Sequence, residues 1–442
     1  MNNTQPSVKV GIMSAKEINV NLLTPFVHVE TGAKAEGKQS FVLNGNAISW
    51  QGKDYERIDF TPTTPDSQFE AYDVTIGVNF HWERRETQRF EGTLSIIVED
   101  DKLTLVNILP VEDYLKSVIS SEMSANATAE FLKAHAVISR SWLLAQINKN
   151  KEISDAGESY SATTLTDDEL IKWYDREDHV NFDVCADDHC QRYQGITRQS
   201  TPTVREAVEA TRGLVLMDNT GRLCDARFSK SCGGVFELFE NCWEPRHYHY
   251  LEAARDSEHR DDFPDLTIEE NAREWILGNP DAFCNTTDEH ILSQVLNNYD
   301  QETHDFYRWH VNYSQDELSE LIARRSGIDF GLIKSLEPIE RGTSGRITRL
   351  RITGTKRTMT IGKELEIRRT LSTSHLYSSA FVVETDGIGS RGVPEHFTLH
   401  GAGWGHGVGL CQIGAAVMSY KGYTYEQILM HYFHGASLET LY

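Results

Sequence analysis

The spacing of the apolar residues changes period once, at Pro110. Before it, apolar residues come in short alternating runs. Val8-Lys9-Val10-Gly11-Ile12 is one such run. Phe41-Val42-Leu43, the Asn44-Gly45 turn signal and residues 48–50 predict a hairpin over 40–50. A second hairpin is predicted where residues 93–98 and 103–108 flank Glu99-Asp100-Asp101-Lys102. After Pro110, which can open a helix at its first turn, the spacing is helical. Tyr114, Leu115, Val118 and Ile119 form one stripe that ends at Ser120-Ser121-Glu122-Met123. Phe131, Leu132, Ala134, Val137, Ile138, Ser141, Trp142 and Ala145 form a second, with Thr128 as N-cap. Strands in one block and helices in the next read as an α+β protein with more than one lobe.

The rest of the chain is mixed. Residues 151–200 are acidic, irregular and rich in His, Cys and Asp. A helix is predicted over 204–211, with strands over 214–217 and 226–229. Residues 244–305 look like an insertion with short helices. Ser314 and Glu317 form a capping box that opens a helix to 325. Strands alternate with turns over 347–367, and the chain ends in a glycine-rich loop and helices over 413–420 and 425–432. The domain expectation is a β-rich portion over 1–107 and a catalytic region over 108–442, β-rich again toward its end and interrupted at about 244–305.

Charge and composition exclude several functions. The 442 residues carry 43 Lys+Arg against 66 Asp+Glu, a formal net charge of -23, which repels polyphosphate and argues against nucleic-acid binding. No apolar run reaches the roughly 18 residues that a membrane-spanning helix needs. Residues 1–20 lack a basic stretch followed by an apolar one, so the sequence as written predicts a cytoplasmic protein. A periplasmic or wall-associated location follows where a leader has been removed. Seven cysteines, at 185, 190, 224, 232, 242, 284 and 411, are odd in number and scattered, unlike a disulfide framework.

Four constellations could carry chemistry. In His179-x5-Cys185-x3-His189-Cys190, two thiolates and two imidazoles can fill a tetrahedral zinc shell, with Asp183, Asp187 and Asp188 to orient the histidines. Four protein ligands would make that zinc structural, because catalytic zinc keeps a position for water. The same spacing suits two unrelated cysteines or a Cys185–Cys190 disulfide. Glu122, between two helices, is either a solvated cap or a general acid whose uncharged neighbours Ser120, Ser121, Met123 and Ser124 help it to keep a proton.

The run Gly401-Ala402-Gly403-Trp404-Gly405-His406-Gly407-Val408-Gly409-Leu410-Cys411-Gln412 fits neither a phosphate loop nor a dinucleotide fingerprint. Trp404 and His406 could meet a sugar ring, or the run could be a buried tight turn. Phe228-Ser229-Lys230-Ser231-Cys232-Gly233-Gly234 lacks the Gly-x-Ser-x-Gly of a serine hydrolase. A Cys232 nucleophile with His406 as base and a packed turn both remain open there.

Together and in order, these segments resemble the SpoIID/LytB family. The matching residues are Leu109-Pro110-Val111-Glu112-Asp113-Tyr114-Leu115-Lys116, Ser121-Glu122-Met123, and Leu132-Lys133-Ala134-His135-Ala136-Val137 with Arg140. Cys185, His189-Cys190-Gln191, Tyr193-x-Gly195, Phe228-Ser229 and Cys232-Gly233-Gly234 follow. Arg341-Gly342, Ser344-Gly345-Arg346 and Gly403 to Gly409 with Gln412 complete the series.

The resemblance covers roughly residues 100–442. It implies a lytic transglycosylase that cleaves between N-acetylmuramic acid and N-acetylglucosamine in peptidoglycan strands or muropeptides. Its catalytic Glu falls on Glu122, and its structural zinc on Cys185, His189, Cys190 and His179. Arg140, Ser231, Cys232, Trp404, His406 and Gln412 are expected to contact the glycan. The chain departs from the pattern with His135 for the usual Gln, Ser141-Trp142 for Thr-Tyr, Cys411 for Ser, and the 244–305 insertion.

A lone Glu suits this chemistry, because the sugar's own C6 hydroxyl is the nucleophile and no second carboxylate is needed. The alternative from another class is a non-catalytic peptidoglycan-binding or amidase-stimulating module.

Overall fold

In the computed structural model the described residues are 4–77, 83–124, 126–156, 162–173, 179–187, 190–197, 200–295 and 305–442. They form a strand-rich mixed α and β protein with ten helices among them. The chain divides into two compact units. One holds residues 1–156, 178–217 and 438–442, and the other 157–177 and 218–437. The strands of 1–107 thus share a unit with the helical segment that follows, and the division does not fall at 107.

The first unit is built on an 11-stranded sheet. Both predicted hairpins are present. Strand Lys34–Asn44 turns into Ala47–Trp50 with Asn44 opposite Ala47, and Gly45 takes φ 61°. Thr93–Glu99 pairs with Lys102–Pro110, and Asp100 and Asp101 carry φ 48° and 58°, the paired positive angles of a tight hairpin turn. Alternate residues on the strands face a core of Phe41, Trp50, Phe60, Phe69 and Phe90, all buried.

Helix α1 (Val111–Glu122) follows directly, with Pro110 as its N-cap rather than its first turn. Helix α2 (Ala129–Ala156) begins just after Thr128, and α3 (Pro202–Ala210) is capped by the Thr201 side chain accepting from Val204 N–H. A buried ion pair joins α1 to α2. Arg140 donates from Nε to Glu112 Oε1 at 2.9 Å and from Nη2 to Oε2 at 2.7 Å. Glu112 also accepts from Gly213 N–H and the Tyr442 hydroxyl, and Arg140 donates to Leu214 O.

In the second unit, a five-stranded sheet orders Thr163–Leu165, Glu169–Lys172, Thr358–Gly362, Ile347–Gly354 and Ile333–Arg341. A three-stranded sheet orders Arg308–Ser314, Pro394–Ala402 and Phe381–Ile388. Between them, Leu318 and Ile322 of helix Gln315–Ser326 pack on Phe330, Ile333, Leu350, Phe397 and Leu399. The predicted capping box is present, with Ser314 N–H donating to Glu317 Oε2.

Two local readings are corrected. Residues 364–370 are a helix rather than a strand, and only Phe228–Ser229 of the strand expected over 226–229 forms. Several of the basic residues over 341–369 form ion pairs within the unit, among them Arg341 with Glu269, Arg349 with Glu169 and Arg368 with Glu364.

Candidate functional site

Glu122 is the last residue of α1, and its side chain is half-buried. Its Oε1 accepts a hydrogen bond from Arg192 N–H at 3.3 Å. Arg192 belongs to the loop that carries Cys185 and Cys190, so the carboxyl and the cysteine loop are one local structure. The loop is fixed on α1 by polar contacts on either side of Arg192. The Tyr114 hydroxyl donates to Gln191 Oε1, Gln194 N–H donates to Ser117 Oγ, and the Tyr193 hydroxyl donates to Asn107 Oδ1 at 2.6 Å. The Tyr114 and Tyr193 rings stack at 5.2 Å. Burial pushes the Tyr114 hydroxyl well up, and the charges of Cys190, Cys185, Tyr193 and Glu122 add to it.

The other end of the loop is a sheet edge. Val184–Cys185 lies parallel to strand Ser7–Ala15, with Gly11 opposite Cys185. Asp183 accepts from Lys9 N–H, which pins the loop to that strand instead of to a histidine. Gly11 is required there. A Cβ at that position would lie 2.6 Å from the Phe182 ring, which stacks on His179 at 4.5 Å. The glycine in the Val8–Ile12 run thus leaves room for Phe182, whose ring in turn packs on His179. No spacing signal in the sequence indicated Phe182.

The ligand atoms of His179, Cys185 and Cys190 all lie within 4.8 Å of one another. Cys190 Sγ is 3.5 Å from His179 Nε2. A sulfur and an imidazole nitrogen at zinc distances and a tetrahedral angle are about 3.5 Å apart, so these residues fit zinc. Cys185 N–H also points at Cys190 Sγ, at 3.4 Å, and favours a thiolate there. His189, the fourth expected ligand, lies outside the described residues, as does Asp188. A cavity of 290 Å³ adjoins this loop, lined among others by Gly11, Ser14, Gln88, Cys185, Asp187 and Arg192.

Arg140 lies in the same unit but does not face this site. It is fully buried and spent on Glu112 and Leu214 O, so no glycan group can reach it in this structure. Its part is to hold α1, and hence Glu122, against α2.

Ser231, Cys232, Trp404, His406 and Gln412 belong to the second unit. Trp404 pairs through its backbone with Ser231, and its ring packs at a tilt on Tyr377 at 4.2 Å and on Phe306 at 4.7 Å. His406 accepts from Val408 N–H at Nδ1 and meets Trp243 edge to face. Burial, then the charges of Arg227, Arg346 and Arg368, push its imidazole well below the usual range. The glycines are needed by the chain's own packing. Arg346 lies flat beneath them and donates to Gly405 O and Cys232 O, and a Cβ on Gly407 would sit 2.5 Å from its guanidinium carbon. Glu237, which no motif indicated, is fully buried and accepts from Leu238, Asn241, Thr343 and Ser344. It thereby shapes the Gly342-Thr343-Ser344-Gly345 turn before Arg346.

Ser231, Cys232 and Gln412 are buried, which leaves the half-buried Trp404 and His406 as the members of that set with some exposure. Cys232 is not placed as a nucleophile for His406: it is buried, and its sulfur faces Cys284 and Asp256. Cys232, Asp256, Cys284 and Cys411 form a second cluster, all buried, that could hold a metal. Asp256 and Cys284 come from the 244–305 insertion. Their distance from Cys232 and Cys411 in the sequence gave no spacing to read.

Comparison with known proteins finds two family models and distant relatives. Residues 99–217 match the family model described as Stage II sporulation protein, SpoIID, which spans α1, α2 and the cysteine loop. Residues 237–409 match a domain of unknown function, DUF8618. An uncharacterised protein of Brachyspira hyodysenteriae is 24% identical over 349 residues, 79% of this chain and 72% of that protein. The amidase enhancer of Bacillus subtilis is 24% identical over 330 residues, 73% of this chain and 40% of that protein. No helix among the described residues is long and apolar enough to cross a membrane.

Proposed function

We propose, from the match of residues 99–217 to the SpoIID family model, that the chain is a lytic transglycosylase of peptidoglycan strands or muropeptides with Glu122 as its acid and base. The observation that carries the reading is the bond from Arg192 N–H to Glu122 Oε1, which fixes a half-exposed carboxyl to the cysteine loop.

The protonated Glu122 carboxyl gives its proton to the glycosidic oxygen as the C1–O bond breaks, and the leaving sugar departs with a new hydroxyl. The carboxylate then takes the proton of the muramyl C6 hydroxyl as that oxygen closes on C1. The product is a 1,6-anhydro ring, no water enters, and Glu122 ends protonated as it began. Holding the nucleophile within the substrate replaces the second carboxylate of a hydrolase. His179, Cys185 and Cys190, with His189 as the fourth expected ligand, would hold a structural zinc. When bound, it clamps the loop that presents Arg192 N–H. Here the chain's own contribution is the Tyr114, Ser117 and Asn107 contacts that orient the same loop.

Mass spectrometry of glycan strands and muropeptides after incubation with wild type and Glu122→Gln tests this. The expected product is one water lighter than the hydrolysis product, and the variant loses about 100-fold or more of the rate. Hydrated reducing ends from wild type would refute the transglycosylase. A second reading is favoured by the Bacillus subtilis relative's name: the chain binds glycan and stimulates an amidase. That reading predicts no cleavage, and undiminished stimulation by Glu122→Gln.

A further inference from the structure

The buried cluster in the second unit has the dimensions of a metal site. Cys232 Sγ lies 3.5 Å from Cys284 Sγ and 3.6 Å from Asp256 Oδ2. The ligand atoms of these three residues and Cys411 all fall within 4.8 Å of one another. At tetrahedral zinc, two sulfurs about 2.3 Å from the metal are about 3.8 Å apart, and a sulfur and a carboxylate oxygen about 3.5 Å. Both observed edges sit close to those values.

Backbone N–H groups point at two of the sulfurs. Cys232 N–H points at Cys411 Sγ at 3.3 Å, and Gly234 N–H at Cys232 Sγ at 3.4 Å. Cys411 is also the N-cap of helix Gln412–Tyr420, at the end where the peptide dipoles favour a thiolate. The carboxylate is held from behind. Asp256 Oδ1 accepts from the Tyr432 hydroxyl at 3.0 Å and lies 3.4 Å from His431 Nε2, while Oδ2 accepts from Cys284 N–H. Gly414 leaves the space that Asp256 occupies, since a Cβ there would lie 2.5 Å from its Oδ2. A ligand oriented by other hydrogen bonds is the usual arrangement around a bound metal.

We propose that Cys232, Asp256, Cys284 and Cys411 form a structural zinc site distinct from the His179/Cys185/Cys190 loop, and that it fastens the 244–305 insertion to the C-terminal glycine-rich segment. Three sulfurs select a soft or borderline cation, and zinc accepts the carboxylate as fourth ligand. The site is closed. Asp256 and Cys411 are 0% exposed and Cys284 1%, so no position remains for water or substrate. Its role is to hold the fold, and it stands whether or not Glu122 cleaves glycan.

Metal analysis of the full chain, purified with reductant and without chelator, is the test. About one zinc per chain should persist in a Cys185→Ser/Cys190→Ser variant, which removes the loop site, and disappear when Cys284→Ser is added. Zinc-free Cys185→Ser/Cys190→Ser protein reloaded with Co²⁺ should show the thiolate-to-metal absorption and the visible bands of tetrahedral cobalt. That arm leaves the cluster intact, so it does not depend on the Cys284→Ser chain folding. Absence of zinc and of a cobalt–thiolate signal from the loop variant would overturn the proposal. So would two fewer titratable thiols in the unreduced, denatured Cys185→Ser/Cys190→Ser variant, mapped by peptide mass to a Cys232–Cys284 disulfide.

Discussion

Arg140→Met separates a scaffold role from a substrate contact. The guanidinium and the Glu112 carboxylate are 0% and 2% exposed and face each other through two hydrogen bonds. Removing the cation leaves a buried carboxylate with only Gly213 N–H and the Tyr442 hydroxyl as donors. Breaking such a pair from one side costs about 3–5 kcal/mol. For a unit of about 200 residues each kcal/mol moves the midpoint by about 2–4 °C, so its transition should fall by about 6–20 °C. The double variant Glu112→Gln/Arg140→Met removes the stranded charge as well. It should recover most of the loss, with a coupling energy of about 2–3 kcal/mol in the double-mutant cycle. Thermal scans by fluorescence and circular dichroism give the midpoints, and glycan turnover is measured below the lowest one. A single variant that melts within about 2 °C of wild type yet turns over no glycan would refute the scaffold argument and return Arg140 to the substrate.

The same pair predicts an acid limb. Burial pushes the Glu112 carboxyl up, but Arg140, Tyr442 and Gly213 outweigh it and hold it below the usual range. A folded value below the unfolded one stabilises above about pH 4.3 and is lost as the pH falls below it, so Glu112→Gln should flatten the fall of the first transition in that window. Gly407→Ala places a Cβ against Arg346 at φ 79° and should lower second-unit stability by about 1–3 kcal/mol in denaturant titrations, with no new cleavage product. Glu237→Gln turns one of the two oxygens that accept from Thr343 and Ser344 into an amide N–H₂ and should cost about 1–3 kcal/mol in the same assay.

Much of the local structure was legible because it is set by neighbours in sequence. The Asn44-Gly45 turn, the helical stripe to Glu122 and the Ser314/Glu317 box each depend on residues a few positions apart. The strand expected over 364–367 failed for a tertiary reason. After Gly362 the chain leaves the sheet, and Ile367 and Leu371 pack into the core from a helix instead. The cysteine loop was legible as a ligand set but not in its support, because Phe182 and Gly11 meet across 170 intervening positions of chain. The glycan contacts were the least legible. A conserved-looking Arg or Gly reads the same in sequence whether it meets a ligand or its own chain, and Arg140, Arg346 and Gly407 meet their own chain.

The cysteine at 411 and the insertion at 244–305 are two departures from the family pattern that meet at one place. Residues 244–305 bury their apolar side chains in several places. Leu266 and Trp275 pack with Val235, and Ala272 and Ile276 with Ala380, Val382 and Ala402. Leu251, Phe283, Leu292 and Val295 are buried as well. Polar clasps add to this packing. Arg255 donates to Asp262 O and Asp281 O, and Arg308 donates to Gly278 O, Trp275 O and Gly233 O. A metal bound by Asp256 and Cys284 from this segment and by Cys232 and Cys411 from outside it would add a further tie, since its binding free energy becomes folding free energy. A Ser at 411 would remove one sulfur from that set. With the proposed zinc in place, the cysteine at 411 serves residues 244–305, in the second unit, while Glu122 lies in the first.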